Sequence, residues 1–100
     1  MYYFYVLKLS LDESYYYGST DNLKRRLEEH KNGKVFSTKS KLPLSLQYYE
    51  AYTSLGLARH REKQVKNSGS IRKALHQRIL QDKKGQPGRP ADSRASSSAG

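Results

Sequence analysis

The run from Tyr15 to His30, YYYGSTDNLKRRLEEH, constrains this chain more than any other stretch. Three consecutive tyrosines suit an extended strand, because aromatic side chains pack well on a pleated surface. Gly18 follows, and its missing Cβ permits a tight backbone path, so the strand is expected to end there. Thr20 or Asp21 can then accept hydrogen bonds from the free N–H groups of a helix start. Leu23 and Leu27, four apart, supply that helix with a buried stripe. Arg26 and His30, also four apart, share a second face. A strand that leads directly into a basic helix brings phenols, a guanidinium and an imidazole toward one polyanion.

The rest of the chain supports a small α+β domain. Residues 2–9, YYFYVLKL, are apolar on both faces, as in a covered or central strand. Ser10 to Ser14 is a polar link suited to a hairpin. Asn32-Gly33 is a helix stop. Residues 34–43, KVFSTKSKLP, show no periodicity and read either as a mobile basic loop that follows phosphates or as a solvated connection without a task. Leu44, Leu46 and Tyr48 alternate, which predicts a third strand over 44–52. Ser54 caps a helix from Leu55 to Lys66, with Leu55, Ala58 and Val65 inward. Asn67-Ser68-Gly69 breaks it, and Ser70 caps a last helix in which Ile71, Leu75 and Ile79 recur every four residues. The expected order is ββαβαα, a three-stranded mixed or antiparallel sheet flanked by helices over residues 1–80. Residues 81–100 hold no large apolar side chain and are rich in Gly, Pro and Ser, so a disordered basic tail is expected.

Charge narrows the partner. Nineteen Lys and Arg against nine Asp and Glu give a net charge of +10 over 100 residues. Such a balance points to nucleic acid first and an anionic membrane surface second. Lys24, Arg25, Lys34, Lys39, Lys41 and Lys66 are the candidate phosphate contacts. No apolar run approaches the roughly 18 residues of a membrane span, and the apolar N-terminus lacks a basic leader, so a cytoplasmic address is expected. There is no cysteine, which removes disulfides and thiolate metal sites. The histidines lack a close ligand pair, so zinc catalysis is set aside. No nucleophilic triad, phosphate-cradling glycine loop or dinucleotide fingerprint is present.

Glu62 stands alone among Arg59, His60, Arg61, Lys63 and Lys66. A carboxylate so placed is either an ion-pair acceptor for Lys66, one helical turn on, or a ligand for a hard divalent cation. Nine tyrosines, six of them in the first two strands, exceed what so small a core requires. They can stack on exposed bases or present phenols to a reacting phosphate.

At these residues the chain resembles the GIY-YIG nuclease superfamily. The first motif corresponds to Tyr3-Phe4-Tyr5 and the second to Tyr16-Tyr17-Gly18. Arg26 and His30 continue the family's run, and the stretch from Ala58 through Glu62 to Lys66 is similar to its glutamate helix. The match covers about residues 2–79 and looks like the small stand-alone branch, related to the nuclease half of the bacterial excision-repair incision subunit. Tyr3, Phe4 and Tyr17 replace a glycine and two isoleucines, which implies a bulkier hairpin. The resemblance implies DNA phosphodiester hydrolysis with one Mg²⁺ or Mn²⁺ held by Glu62. It implies Tyr5 as general base, Tyr16 orienting the water or phosphate, Arg26 neutralising charge on the phosphoryl oxygens, and His30 accepting the tyrosine proton or holding the phosphate. Positive charge lowers a tyrosine pKa and burial raises it, so an open, wet site is expected. The resemblance implies that Lys66 positions backbone, and Asn67 is a candidate for the polar side chain that some members use near the last helix. Branched, flapped or nicked DNA suits so minimal a domain better than a base sequence, and a protein partner that supplies specificity is compatible with it. The other readings are a non-catalytic nucleic-acid-binding module and a partner-docking domain. A pure binder has no use for a carboxylate facing phosphate, and Glu62 therefore favours catalysis.

Overall fold

The computed structural model describes residues 1–85. Its elements are β1 (Tyr2–Leu9), β2 (Ser14–Thr20), α1 (Leu23–Lys31), α2 (Phe36–Lys39), β3 (Leu44–Tyr52), α3 (Leu55–Asn67) and α4 (Gly69–Gly85). The sheet is wholly antiparallel with order β2-β1-β3. The doubly apolar first strand therefore takes the centre, as its pattern predicts, because only a strand covered on both faces can bury both sets of side chains.

Helices cover the sheet on both sides. Tyr5, Leu7 and Leu9 face α1 and pack with Tyr16, Leu23, Leu27, Leu44 and Leu46. Phe4 and Val6 face the other way and pack with Val65, Leu75 and Ile79 from α3 and α4. Each such fully buried side chain contributes roughly 1.5–3 kcal/mol of transfer free energy.

The third strand departs from simple alternation. Val6 pairs with Tyr48 but Leu7 pairs with Leu46, so Gln47 is an extra residue and the strand carries a bulge. One inserted residue reverses the facing of everything beyond it. Leu44 and Leu46 consequently face α1, while Tyr48 joins the opposite core.

Several local expectations are corrected. Gly18 lies inside β2, which continues to Thr20. Asn22 caps α1, its side chain accepting from the Arg25 N–H at 3.0 Å, while the Thr20 hydroxyl accepts from Asn22 N–H. Ser68 caps α4, accepting from the Ile71 N–H. Residues 34–43 hold the helical turn α2, with Val35 and Thr38 buried, rather than a loop free of the core. As expected, Ser54 accepts from Leu57 N–H at the start of α3, and Gly33 leaves α1 at φ +74°, where a Cβ is disfavoured. α4 runs on to Gly85, past the expected boundary at residue 80. The remainder of the expected tail, 86–100, lies outside the described residues.

Candidate active site

Tyr5 and His30 meet in the interior. The Tyr5 hydroxyl is 2.9 Å from His30 Nε2, and His30 Nδ1 is 2.9 Å from Thr38 Oγ1. Tyr5 is 1 % exposed and His30 and Thr38 are fully buried. The Thr38 hydroxyl donates toward the Val35 carbonyl, so it receives the proton of His30 Nδ1. Nε2 is then the acceptor, and the Tyr5 hydroxyl donates to it. The opening strand, the end of α1 and the helical turn α2 thus form one buried line of hydrogen bonds.

The charges of this line follow from burial. Burial pushes the Tyr5 phenol up to about 12, against the opposing pull of Arg26, which hydrogen-bonds to it. Burial, with the Arg26 charge adding to it, pushes His30 down to about 4. Both are neutral at pH 7, the proton resting on Tyr5. The expectation of an open, wet tyrosine is thereby overturned: the phenol is held by an imidazole rather than by solvent.

Tyr16 leans over the same group, its ring centroid 5.0 Å from that of His30 and 6.3 Å from that of Tyr5. Arg26 comes from α1 half-buried, its guanidinium 2.9 Å from Glu29 Oε1 and acting on both phenols. Glu29 fixes the guanidinium and keeps its own carboxylate ionised through that hydrogen bond. The missing side chain of Gly18 makes room for this arrangement. A Cβ there would stand 2.5 Å from the Tyr5 hydroxyl, so glycine is needed for close approach rather than to end the strand.

Glu62 reaches the same point of β2 from the other face. Its Oε1 accepts from the Ser19 hydroxyl at 2.6 Å, and its Oε2 accepts from Lys66 Nζ at 2.6 Å. Gly18 pairs with Tyr5 and Ser19 with Phe4, so tyrosine and glutamate arrive at adjacent residues of an edge strand. The Glu62 charge acts on Tyr5, raising its pKa. Among the described residues no three His, Asp or Glu side chains converge. The oxygens near Glu62, its carboxylate and the Ser19 hydroxyl, are hard donors. One carboxylate with neighbouring hydroxyls suits Mg²⁺ or Mn²⁺, which keep several waters and take substrate phosphates as further ligands.

The expected phosphate contacts are dispersed. Arg25 pairs with Asp21 and Glu29, Lys41 with Asp12, and Lys66 with Glu62. Lys39 lies over the Phe36 ring. Asn67 lines a basic recess of about 360 Å³ with Arg59, Glu62, Lys63 and Lys66. Thr38, Ser19 and Glu29 were absent from the expected set. Ser19 directly follows the Tyr-Tyr-Gly motif and was open to suspicion on that ground, whereas nothing in the aperiodic run around Thr38 marks it.

Residues 1–73 match the GIY-YIG catalytic domain. The chain belongs to the GIY-YIG family. Similar relatives are UPF0213 proteins. One from Syntrophus aciditrophicus is 38 % identical over 73 residues, covering 71 % of this chain and 83 % of that protein. One from Natronomonas pharaonis is 34 % identical over 84 residues, covering 83 % and 94 %. A third, from Lactiplantibacillus plantarum, is 49 % identical over 55 residues, where the match spans 52 % of this chain and only 54 % of the relative. The solution NMR structure of the UPF0213 protein BH0048 from Bacillus halodurans, 28 % identical, aligns over 97 % of this chain and 100 % of that one with a TM-score of 0.49. As a GIY-YIG chain, this protein has a nuclease-type fold, in which the Tyr-Phe-Tyr and Tyr-Tyr-Gly segments are the paired centres of β1 and β2. No helix among its described residues is long and apolar enough to cross a membrane.

Proposed function

We propose that this GIY-YIG chain is a metal-dependent endonuclease that hydrolyses DNA phosphodiester bonds. The observation that carries the reading is the buried Tyr5–His30 hydrogen bond with Arg26 on the same phenol. A phenol near 12 is a poor base alone. With His30 Nε2 free to accept, Tyr5 takes a proton from the attacking water as its own proton passes to the imidazole. Thr38 holds the ring in the tautomer this transfer needs. Arg26, fixed by Glu29, stabilises charge growing on the phosphoryl oxygens, and Tyr16 orients the water or the phosphate. Glu62 and Ser19 would hold Mg²⁺ or Mn²⁺, which when bound polarises the scissile phosphate and stabilises the leaving oxygen.

A non-catalytic DNA-binding module is the second reading, favoured by the ion pair that engages Glu62 with Lys66. It gives the Tyr5–His30–Thr38 line no role beyond holding β1, α1 and α2 together. Cleavage of hairpin, flapped, nicked and linear DNA by the purified protein, with Mg²⁺, Mn²⁺ or a chelator, separates the two. Metal-dependent nicking that is abolished in Glu62→Ala and Arg26→Ala is the expected result. Equal residual cutting by wild type and Glu62→Ala identifies a contaminant and removes the enzymatic reading.

A further inference from the structure

We propose that a groove beside the first turn of α1 binds an unpaired nucleobase of the DNA substrate, which makes a single-stranded arm the feature this protein recognises. The inference deepens the nuclease reading and rests on it. The groove encloses about 540 Å³ and is lined by Tyr3, Leu23, Lys24, Leu27 and Tyr49, among others. Tyr3 and Tyr49 stand edge to face with ring centroids 6.0 Å apart, and Tyr49 is 53 % exposed. An exposed ring of that size on the rim of an apolar hollow is not satisfied by the core. Tyr3 occupies the position at which the motif's name places glycine, so the groove owes one of its two rings to a departure from that motif.

Position ties the groove to the reacting centre. Tyr49 is the cross-strand partner of Tyr5, and Tyr3 lies two residues along the same face of β1, about 7 Å away. On α1, at about 100° per residue, Lys24 and Leu27 turn to one side of Leu23, while Arg26 and His30 turn to the other. One helix therefore presents a stacking groove on one flank and the half-buried Arg26 guanidinium on the other. A DNA strand laid across its first turn engages both.

Charge selects the occupant. Lys24 sits at the groove, and Asp21, the acidic residue there, is 2.9 Å from the Arg25 guanidinium. Aromatic rings over an aliphatic floor with a cation at the edge fit a flat, uncharged ring attached to a phosphate. An apolar side chain of a protein partner has no need of the cation.

The test is fluorescence anisotropy in chelator, so that binding is read without cleavage. Wild type, Tyr49→Ala and Tyr49→Phe are titrated with a labelled flapped duplex and with a blunt duplex of equal length. Circular dichroism establishes that each variant is folded. Tyr49→Ala is expected to weaken flap binding about tenfold or more and to leave blunt-duplex binding unchanged, since stacking on a ring is lost only where a base is free. Tyr49→Phe is expected to bind the flap like wild type. Equal affinity of wild type and Tyr49→Ala for the flap, or an equal loss on both DNAs, overturns the groove assignment; so does a Tyr49→Phe that fails like alanine. A protein that cleaves normally while Tyr49→Ala binds the flap unchanged would refute the groove and leave the nuclease reading standing. One that discriminates flap from duplex yet never cleaves would do the reverse.

Discussion

The Tyr5 hydroxyl and His30 Nε2 lie 2.9 Å apart where solvent does not reach, although they are separated by 25 positions in the chain. A phenol donating to a neutral imidazole in the interior has an acceptor in place for its proton. In the proposed hydrolysis the pair, not the tyrosine alone, is the unit on which proton transfer depends.

Removing the hydroxyl tests that unit directly. Tyr5→Phe retains the ring in the core and is expected to lower single-turnover cleavage by about 10²–10⁴-fold, the usual contribution of a positioned acid or base. It leaves His30 Nε2 without its donor, which costs about 1–3 kcal/mol in urea unfolding. Thr38→Val, which breaks the far end of the line without touching Tyr5, is expected to lower cleavage by a smaller factor. Cleavage unchanged in Tyr5→Phe would remove the phenol from the mechanism.

Acid is expected to destabilise the fold through His30. Its pKa falls from 6.5 to about 4 on folding, so between those values the unfolded chain binds more protons than the native one. Stability therefore rises with pH in that window. The contribution is fully present above pH 6.5 and is lost as pH falls toward 4, by up to about 3 kcal/mol. His76, also held low by burial, adds a slope of the same sign. Chemical denaturation at pH 7, 6 and 5 should show a steeper decline for wild type than for His30→Gln. Parallel curves would show that His30 does not titrate in this way.

Gly18→Ala places a methyl group 2.5 Å from the Tyr5 hydroxyl. The phenol must move off His30 and Arg26, so cleavage should fall by about as much as in Tyr5→Phe, with about 1–3 kcal/mol of overpacking cost. A crystal or NMR structure of the variant with Tyr5 still on His30, together with full activity, would contradict the close approach.

Glu50 makes a separate stability prediction. Its carboxylate accepts from the Tyr48 and Tyr52 hydroxyls and from Arg61 Nε and Nη2 at 3.0 and 3.2 Å. Burial pushes its pKa up, but these donors outweigh burial and hold it below the usual glutamate range. Glu50→Ala leaves a half-buried guanidinium and two phenols without their acceptor, an expected loss of about 3 kcal/mol in urea unfolding. Arg61 precedes Glu62, so the loss of this clamp on α3 should also weaken metal-dependent cleavage. A variant with wild-type stability would show the cluster to be ornamental.

Much of the fold is local in origin. The doubly apolar β1, the Asn32-Gly33 stop, the Ser54 cap and the four-residue stripe of α4 each depend on neighbours in sequence, and each is found where the pattern places it. The recurrence of Tyr5, Tyr16, Arg26, His30 and Glu62 at their spacings was likewise open to reading from the chain. Whether Gly18 turns the chain or admits a neighbour was not, because the same absent Cβ serves both ends. The bulge at Gln47 was hidden too: alternation of Leu44, Leu46 and Tyr48 predicts a strand but is blind to an inserted residue between partners.

Sequence alone determined the composition of the site and the strand and helix that carry it, since spacing and propensity act over a few residues. Tertiary structure decided how those groups are charged and paired. Burial sets the protons of Tyr5 and His30, and burial is a property of the packed molecule; Thr38, Ser19 and the Tyr3–Tyr49 groove exist as partners only once distant segments meet.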